Sequence, residues 1–146
     1  MLKNAQAPLL HIADVSGSAV FQGDCLDIMP LIPDNSIDCI ITDPPYGTTS
    51  CKWDSVIPFE PMWEQLNRII KPNGAIVLFG SEPFSSALRM SNIKNYKYDW
   101  KWDKIIGSGS LNVRYMPLKR YEDVIVFFKK TLIYNSLLVL RDKTKL

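Results

Sequence analysis

The sequence predicts an α/β domain in three layers, built on a mostly parallel sheet that ends in an antiparallel strand pair. Three observations carry this. Two nearly continuous apolar runs, at 37–42 and 75–79, fit strands covered on both faces. Helix-period stretches follow them, near 60–70 and again from 81 onward. The last third then offers two strand-like stretches with no helical pattern between them, which favours antiparallel pairing.

Taken in order, residues 19–22 read as a short strand stopped by Gly23-Asp24. Asp24 can cap a helical turn in which Leu26, Met29 and Ile32 face inward, and Pro30 and Pro33 keep that turn short. Pro33-Asp34-Asn35-Ser36 is turn chemistry. The 37–42 run then ends abruptly at Asp43-Pro44-Pro45-Tyr46-Gly47. The 60–70 helix has Pro61 in its first turn, with Met62, Trp63, Leu66, Ile69 and Ile70 on one face. Lys71-Pro72-Asn73-Gly74 turns the chain into the 75–79 strand. Ser81 is the expected N-cap of the next helix, with Pro83 in the first turn and Phe84, Ala87 and Leu88 inward. Alternation from Tyr96 to Trp102 puts Tyr96, Tyr98, Trp100 and Trp102 on one half-buried face. Gly107-Ser108-Gly109 reads as a flexible connection toward the last strand, 124–128. A single domain over 1–146 is expected, with 1–18 a tail and 133–146 the start of a further region.

Composition bounds the rest. Of 146 residues 47% are hydrophobic and 22% charged, enough for a packed core and against global disorder. No apolar run is long enough to cross a bilayer, and the first residues lack the pattern of a signal peptide. Cys25, Cys39 and Cys51 form no CxxC pair, so reduced thiols and a cytoplasmic setting are expected. With His11 the one histidine, no metal site is expected. Residues 1–93 hold 5 Lys/Arg against 10 Asp/Glu, a net −5, whereas residues 94–146 hold 12 against 5, a net +7. Such asymmetry fits a polyanion partner or a solvated lysine-rich surface, and charge alone leaves both open.

The Asp43-Pro44-Pro45-Tyr46 run stands where open α/β sheets bind ligands, beyond the carboxyl end of a buried strand. Its chemistry suits an exocyclic amine. The lone pair of such a nitrogen is delocalised into its ring, so acceptors on both of its hydrogens would free it to react. Asp43 offers a carboxylate and Pro44 a carbonyl oxygen, Pro44 and Pro45 stiffen the loop, and Tyr46 offers a flat face for an extruded base. The alternative is a rigid turn with a packed tyrosine.

Gly23-Asp24-Cys25, the stretch from Asp38 to Gly47, and Pro72-Asn73-Gly74 before an apolar strand together resemble the amino-methyltransferases of restriction–modification systems and phages. The order resembles their circularly permuted class, in which the catalytic motif precedes the cofactor-binding glycine motif. Leu111-Asn112 and the run from Glu122 to Phe127 match its later strands, so the resemblance spans roughly residues 19–135. It implies a Rossmann-like fold, S-adenosyl-L-methionine as cofactor, double-stranded DNA as partner, and methyl transfer to the exocyclic amine of a flipped adenine. Asp43 and Pro44 would hold the amine, Pro45 would stiffen the loop, and Tyr46 would stack on the base. Asp24, Cys25 and Asp43 would face the cofactor, while Lys52, Trp53, Arg114, Lys119 and Arg120 are candidates for DNA. For each of these five, solvation or ordinary packing is the alternative. Aspartate at the first motif position favours adenine within the family, with cytosine as the alternative.

The family's glycine-rich turn, second cofactor segment and target-recognition region have no counterpart in this sequence. Gly107-Ser108-Gly109 lacks the strand–turn–helix setting of such a turn. The resemblance therefore implies an incomplete, C-terminally truncated fold with an exposed central strand edge. Its activity would need a complementing methyltransferase fragment or a homodimer. Otherwise the chain would keep only a nucleic-acid-binding or assembly role.

Overall fold

The computed structural model describes residues 10–15 and 18–132. Along the chain these form β1 (Leu10–Val15), β2 (Ser18–Gln22), α1 (Cys25–Ile28), β3 (Ile37–Thr42), α2 (Phe59–Ile69), β4 (Ile70–Gly80), α3 (Phe84–Ser91), β5 (Tyr96–Ser108) and β6 (Lys119–Phe127). The expected start of a further region at 133–146 lies outside the described residues, as does most of the expected 1–18 tail. Within that tail, however, Leu10–Val15 is a strand.

The main sheet has the order β3-β4-β6-β5. β3 runs parallel to β4, while β4–β6 and β6–β5 are antiparallel. The fold is thus α/β and an incomplete Rossmann-like one, with the antiparallel close where it was expected. Its sheet is mixed rather than mostly parallel. Parallel neighbours need a crossover helix, and among the described residues α2 alone joins two adjacent parallel strands. β2 is the expected 19–22 strand, but among the described residues it pairs only with β1, in a separate two-stranded sheet. Among the described residues β3 therefore has one neighbour and one open edge.

The helices form where the sequence says, for visible reasons. The Asp24 carboxylate accepts the Leu26 N–H at 2.8 Å and caps α1. In α2, Met62, Trp63, Leu66 and Ile69 recur at helical spacing and are all buried, each such side chain adding about 2 kcal/mol of burial. Lys71 to Gly74 is a bulge inside β4 rather than a turn before it, since Ile37 pairs with Ile70 and Cys39 already with Ala75. A Cβ on Gly74 would lie 2.7 Å from the Asp38 carbonyl oxygen, so only glycine fits there. Ser81 does not cap α3. The Glu82 carboxylate does so instead, accepting the Ser86 N–H at 3.2 Å and its hydroxyl at 2.7 Å. An acid reaches further than a hydroxyl and complements the positive helix end.

β5 also departs from its simple alternation. Tyr96 sits opposite Phe127 but Tyr98 sits opposite Val126, so a bulge at Lys97 resets the pleat. Tyr96 packs on Phe127 toward the helices, whereas Tyr98, Trp100 and Trp102 take the other face. Gly107-Ser108-Gly109 is only partly a connection: Ser108 pairs with Lys119, and Gly109 alone is left-handed, at φ 89°. β6 begins at Lys119, so Lys119 and Arg120 are strand residues and not loop residues.

Ile76 and Leu78 of β4 and Ile125 and Phe127 of β6 share one face and form a single core with α1, α2 and α3. Trp63 ties the two longer helices together, donating its indole N–H to the Ser91 hydroxyl at 2.7 Å. Its ring meets Phe127 edge-on at 4.8 Å. On the opposite face no described helix lies against the sheet, so the expected third layer is absent among the described residues. Ile41, Trp100 and Trp102 stand there 68%, 54% and 52% exposed, and Phe79 meets Trp102 edge-on at 5.7 Å.

Candidate active site

β3 aims its carboxyl end at the loop that leads to α2. Asp43 opens that loop, Pro44 is buried directly behind it, and Tyr46 folds back. The Tyr46 hydroxyl donates to Asp43 Oδ1. One face of the Tyr46 ring lies on Phe84, the first residue of α3, with ring centroids 5.1 Å apart at 26°. Burial, and then the hydrogen bond to Asp43, push the Tyr46 phenol well above its ordinary 10.0, so it stays protonated and a donor. Oδ1 of Asp43 is thereby engaged, leaving Oδ2 without a hydrogen-bond partner among the described residues.

Two cavities meet at this loop. The first, of about 290 Å³, is lined by Asp43, Pro44, Tyr46, Thr48, Trp53 and Asp54. The second, of about 500 Å³, is lined by Asp24, Cys25, Pro45, Trp53, Ile57 and Pro58. Pro45 and Trp53 belong to both. The second cavity falls in the size range of small-molecule sites, about 300–1,000 Å³. Its walls mix apolar side chains with the Asp24 carboxylate. Burial and then the neighbouring Asp24 raise the Cys25 thiol pKa from 9.0, which disfavours its thiolate. Among the described residues no three of His, Cys, Asp and Glu come together in a way that holds a metal.

Asp54 is the residue that sequence reasoning missed. Its Oδ1 accepts the Gly47 N–H at 2.8 Å, and its Oδ2 accepts the N–H groups of Thr48 and Thr49 at 2.9 and 2.6 Å. The Thr49 hydroxyl first, and then the Gly47 N–H, lower its carboxyl from 3.8 to about 2. Gly47 makes the approach possible: it sits at φ 68°, and a Cβ there would lie 2.9 Å from Val56 Cγ2. A lone aspartate in a polar loop gives no sequence signal for this role.

The candidate DNA residues divide. Lys52 and Trp53 stand exposed on the site loop. Arg120 is paired instead with Asp103 at 2.6 Å, and the Lys119 ammonium donates to the Glu82 carbonyl at 3.1 Å. Arg114 is exposed in the connection from β5 to β6, with no hydrogen bond or ion pair among the described residues.

No protein-family model matches the chain. It is 32% identical over 111 residues to the Type II methyltransferase M.HpaI of Haemophilus parainfluenzae, which covers 67% of this chain and 34% of that protein. Among solved structures, the cytosine-N4-specific PvuII DNA methyltransferase superposes with a TM-score of 0.57 at 18% identity, over 75% of this chain and 48% of that one. The complex of M1.HpyAVI with SAM gives 0.57 at 21% identity, over 83% and 59%. The chain spans less than half the length of the curated relatives it matches.

Proposed function

Because this chain is a homologue of the Type II DNA methyltransferases, we propose that its single domain carries the amine-holding part of a site that methylates an exocyclic amine of a flipped adenine in double-stranded DNA. The observation that carries this reading is the pair of cavities that meet at Pro45, with Asp43 on one and Asp24 on the other. A methyl donor and an acceptor amine must be brought within reach of each other, and a shared wall does that.

In this reading the base leaves the duplex and enters the smaller cavity. Asp43 Oδ2 and the Pro44 carbonyl accept its two amine hydrogens, while Pro44 and Pro45 keep those acceptors from moving. Tyr46 plays two parts: its hydroxyl fixes the Asp43 carboxylate, and its ring, backed by Phe84, offers the base a flat wall. S-adenosyl-L-methionine, when bound, supplies an activated methyl on a sulfonium. Asp24, Cys25 and Asp43 are the residues of this chain that would face it, with the Asp24 carboxylate free to accept beyond its capping bond. Lys52 and Arg114, both exposed, would make phosphate contacts, whereas Lys119 and Arg120 would first have to leave their present partners. Full activity would draw on a complementing methyltransferase fragment or a second copy to complete the cofactor site.

Mass spectrometry of nucleosides tests this, using DNA from methylation-deficient cells that express the chain. The expected product is N6-methyladenine, lost in Asp43→Ala. A second reading, cytosine as acceptor, has the fold neighbour PvuII in its favour, which is cytosine-N4-specific. N4-methylcytosine in the digest would establish it in place of the first. Neither product, from the chain alone or co-expressed with a complementing methyltransferase fragment, would reduce the chain to a binding or assembly role.

A further inference from the structure

Trp53 is 74% exposed, and its indole makes no hydrogen bond or ring contact among the described residues. Burial cannot explain such a ring, yet its place is closely determined. The loop from Gly47 to Asp54 is closed on itself: three successive N–H groups point at the Asp54 carboxylate, the Asp54 N–H donates to the Cys51 carbonyl at 3.0 Å, and the Cys51 N–H donates to Thr49 Oγ1 at 3.3 Å. Successive amides of this kind form an anion-holding concavity, here filled by the chain's own carboxylate. The residue just before that carboxylate is Trp53, held at the junction of the two cavities.

We propose that Trp53 is a ligand-contacting wall common to both cavities, and that Asp54 is the positioning residue that keeps it there. An indole suits both sides. A planar nucleobase in the smaller cavity gains stacking area on it, and a cationic adenosyl donor in the larger one gains a π face. Trp53 would thus set the distance between donor and acceptor while giving up no core packing. This rests on the function proposed above and extends it to two residues outside the Asp43–Tyr46 run.

Indole and amide NMR of the full ¹⁵N-labelled chain tests it, with the Trp53 indole signal assigned through Trp53→Phe. The probes are S-adenosylmethionine, at millimolar concentration because this chain supplies only part of the cofactor site, and a short oligodeoxyadenylate, added separately. The donor should shift the Cys25 and Leu26 amides, the oligonucleotide those of Tyr46 and Thr48, and both should shift the Trp53 indole. Trp53→Ala should weaken each probe roughly tenfold with an unchanged unfolding midpoint, and Trp53→Phe should recover part of that loss. Asp54→Ala should weaken both as well, but the double variant should bind no more weakly than Trp53→Ala alone, because the aspartate acts through the ring. Shifts of the cavity amides without the Trp53 indole, or with only one probe reaching it, would overturn the shared wall and leave the proposed function standing. No shift at any cavity amide with either probe would overturn both.

Discussion

Asp54 and Tyr46 show how differently two residues of one loop can be read. Tyr46 announces itself through the two prolines before it. Its partner Phe84 does not, because the two rings meet only once α3 is docked on the sheet. Asp54 has no motif at all; its role exists only when the loop doubles back. The titration of that carboxyl gives a direct check. Its folded value of about 2 lies below the ordinary 3.8, so the loop stabilisation it provides is complete above the higher value and is lost as pH falls through the lower one. The amide shifts of Gly47, Thr48 and Thr49 should therefore titrate together at about pH 2 and stay flat in Asp54→Asn. A midpoint near 3.8 would mean that the three bonds are not made in solution.

Among the elements, α3 and β5 are joined by charge as much as by packing. Arg89 reaches Asp123 at 2.9 Å, Asp99 at 3.5 Å and Glu82 at 3.0 Å, and Lys101 also bonds Asp99 and Asp123. Asp123 is buried, and burial alone would raise its pKa; Lys101, Ser85 and Arg89 reverse that and lower it. Arg89→Ala takes one of its two cationic partners from a buried carboxylate and should cost about 3 kcal/mol in urea unfolding, with Arg89→Lys recovering part of it. This network depends on the bulge at Lys97, which turns Asp99 and Lys101 toward the helices and Trp100 and Trp102 away. A sequence read at period two cannot register a bulge, so it placed Tyr96 with the tryptophans. The α2 stripe carried no such ambiguity, since it kept its period from end to end, and the apolar runs at 37–42 and 75–79 read as strands although the bulge at the start of β4 did not.

For the molecule as a whole, the apolar face that carries Ile41, Trp100 and Trp102 outweighs any one side chain. Patches of this kind on a sheet bind apolar dyes and partners. Trp100→Ser with Trp102→Ser should sharply reduce anilinonaphthalene sulfonate fluorescence at native pH, with near-native far-ultraviolet dichroism retained. Undiminished dye binding would place the accessible apolar surface elsewhere, such as the groove of about 370 Å³ beside Ile40, Ile57 and Leu66. Strand order at this scale was only half legible: the β5–β6 pair followed from the missing helix between them, but the pairing of β2 with β1 did not, since β1 carries no strong alternation in sequence. The open edge of β3 has a temporal consequence. β5 and β6 are close in the chain and should zip early, whereas β3 must wait for a parallel crossover and, among the described residues, is then held by β4 alone. The strand that presents Asp43 should thus be the last of the sheet to join and the first to let go, so in hydrogen exchange the amides of Ile41 and Thr42 should exchange faster than those of Leu78 and Ile125.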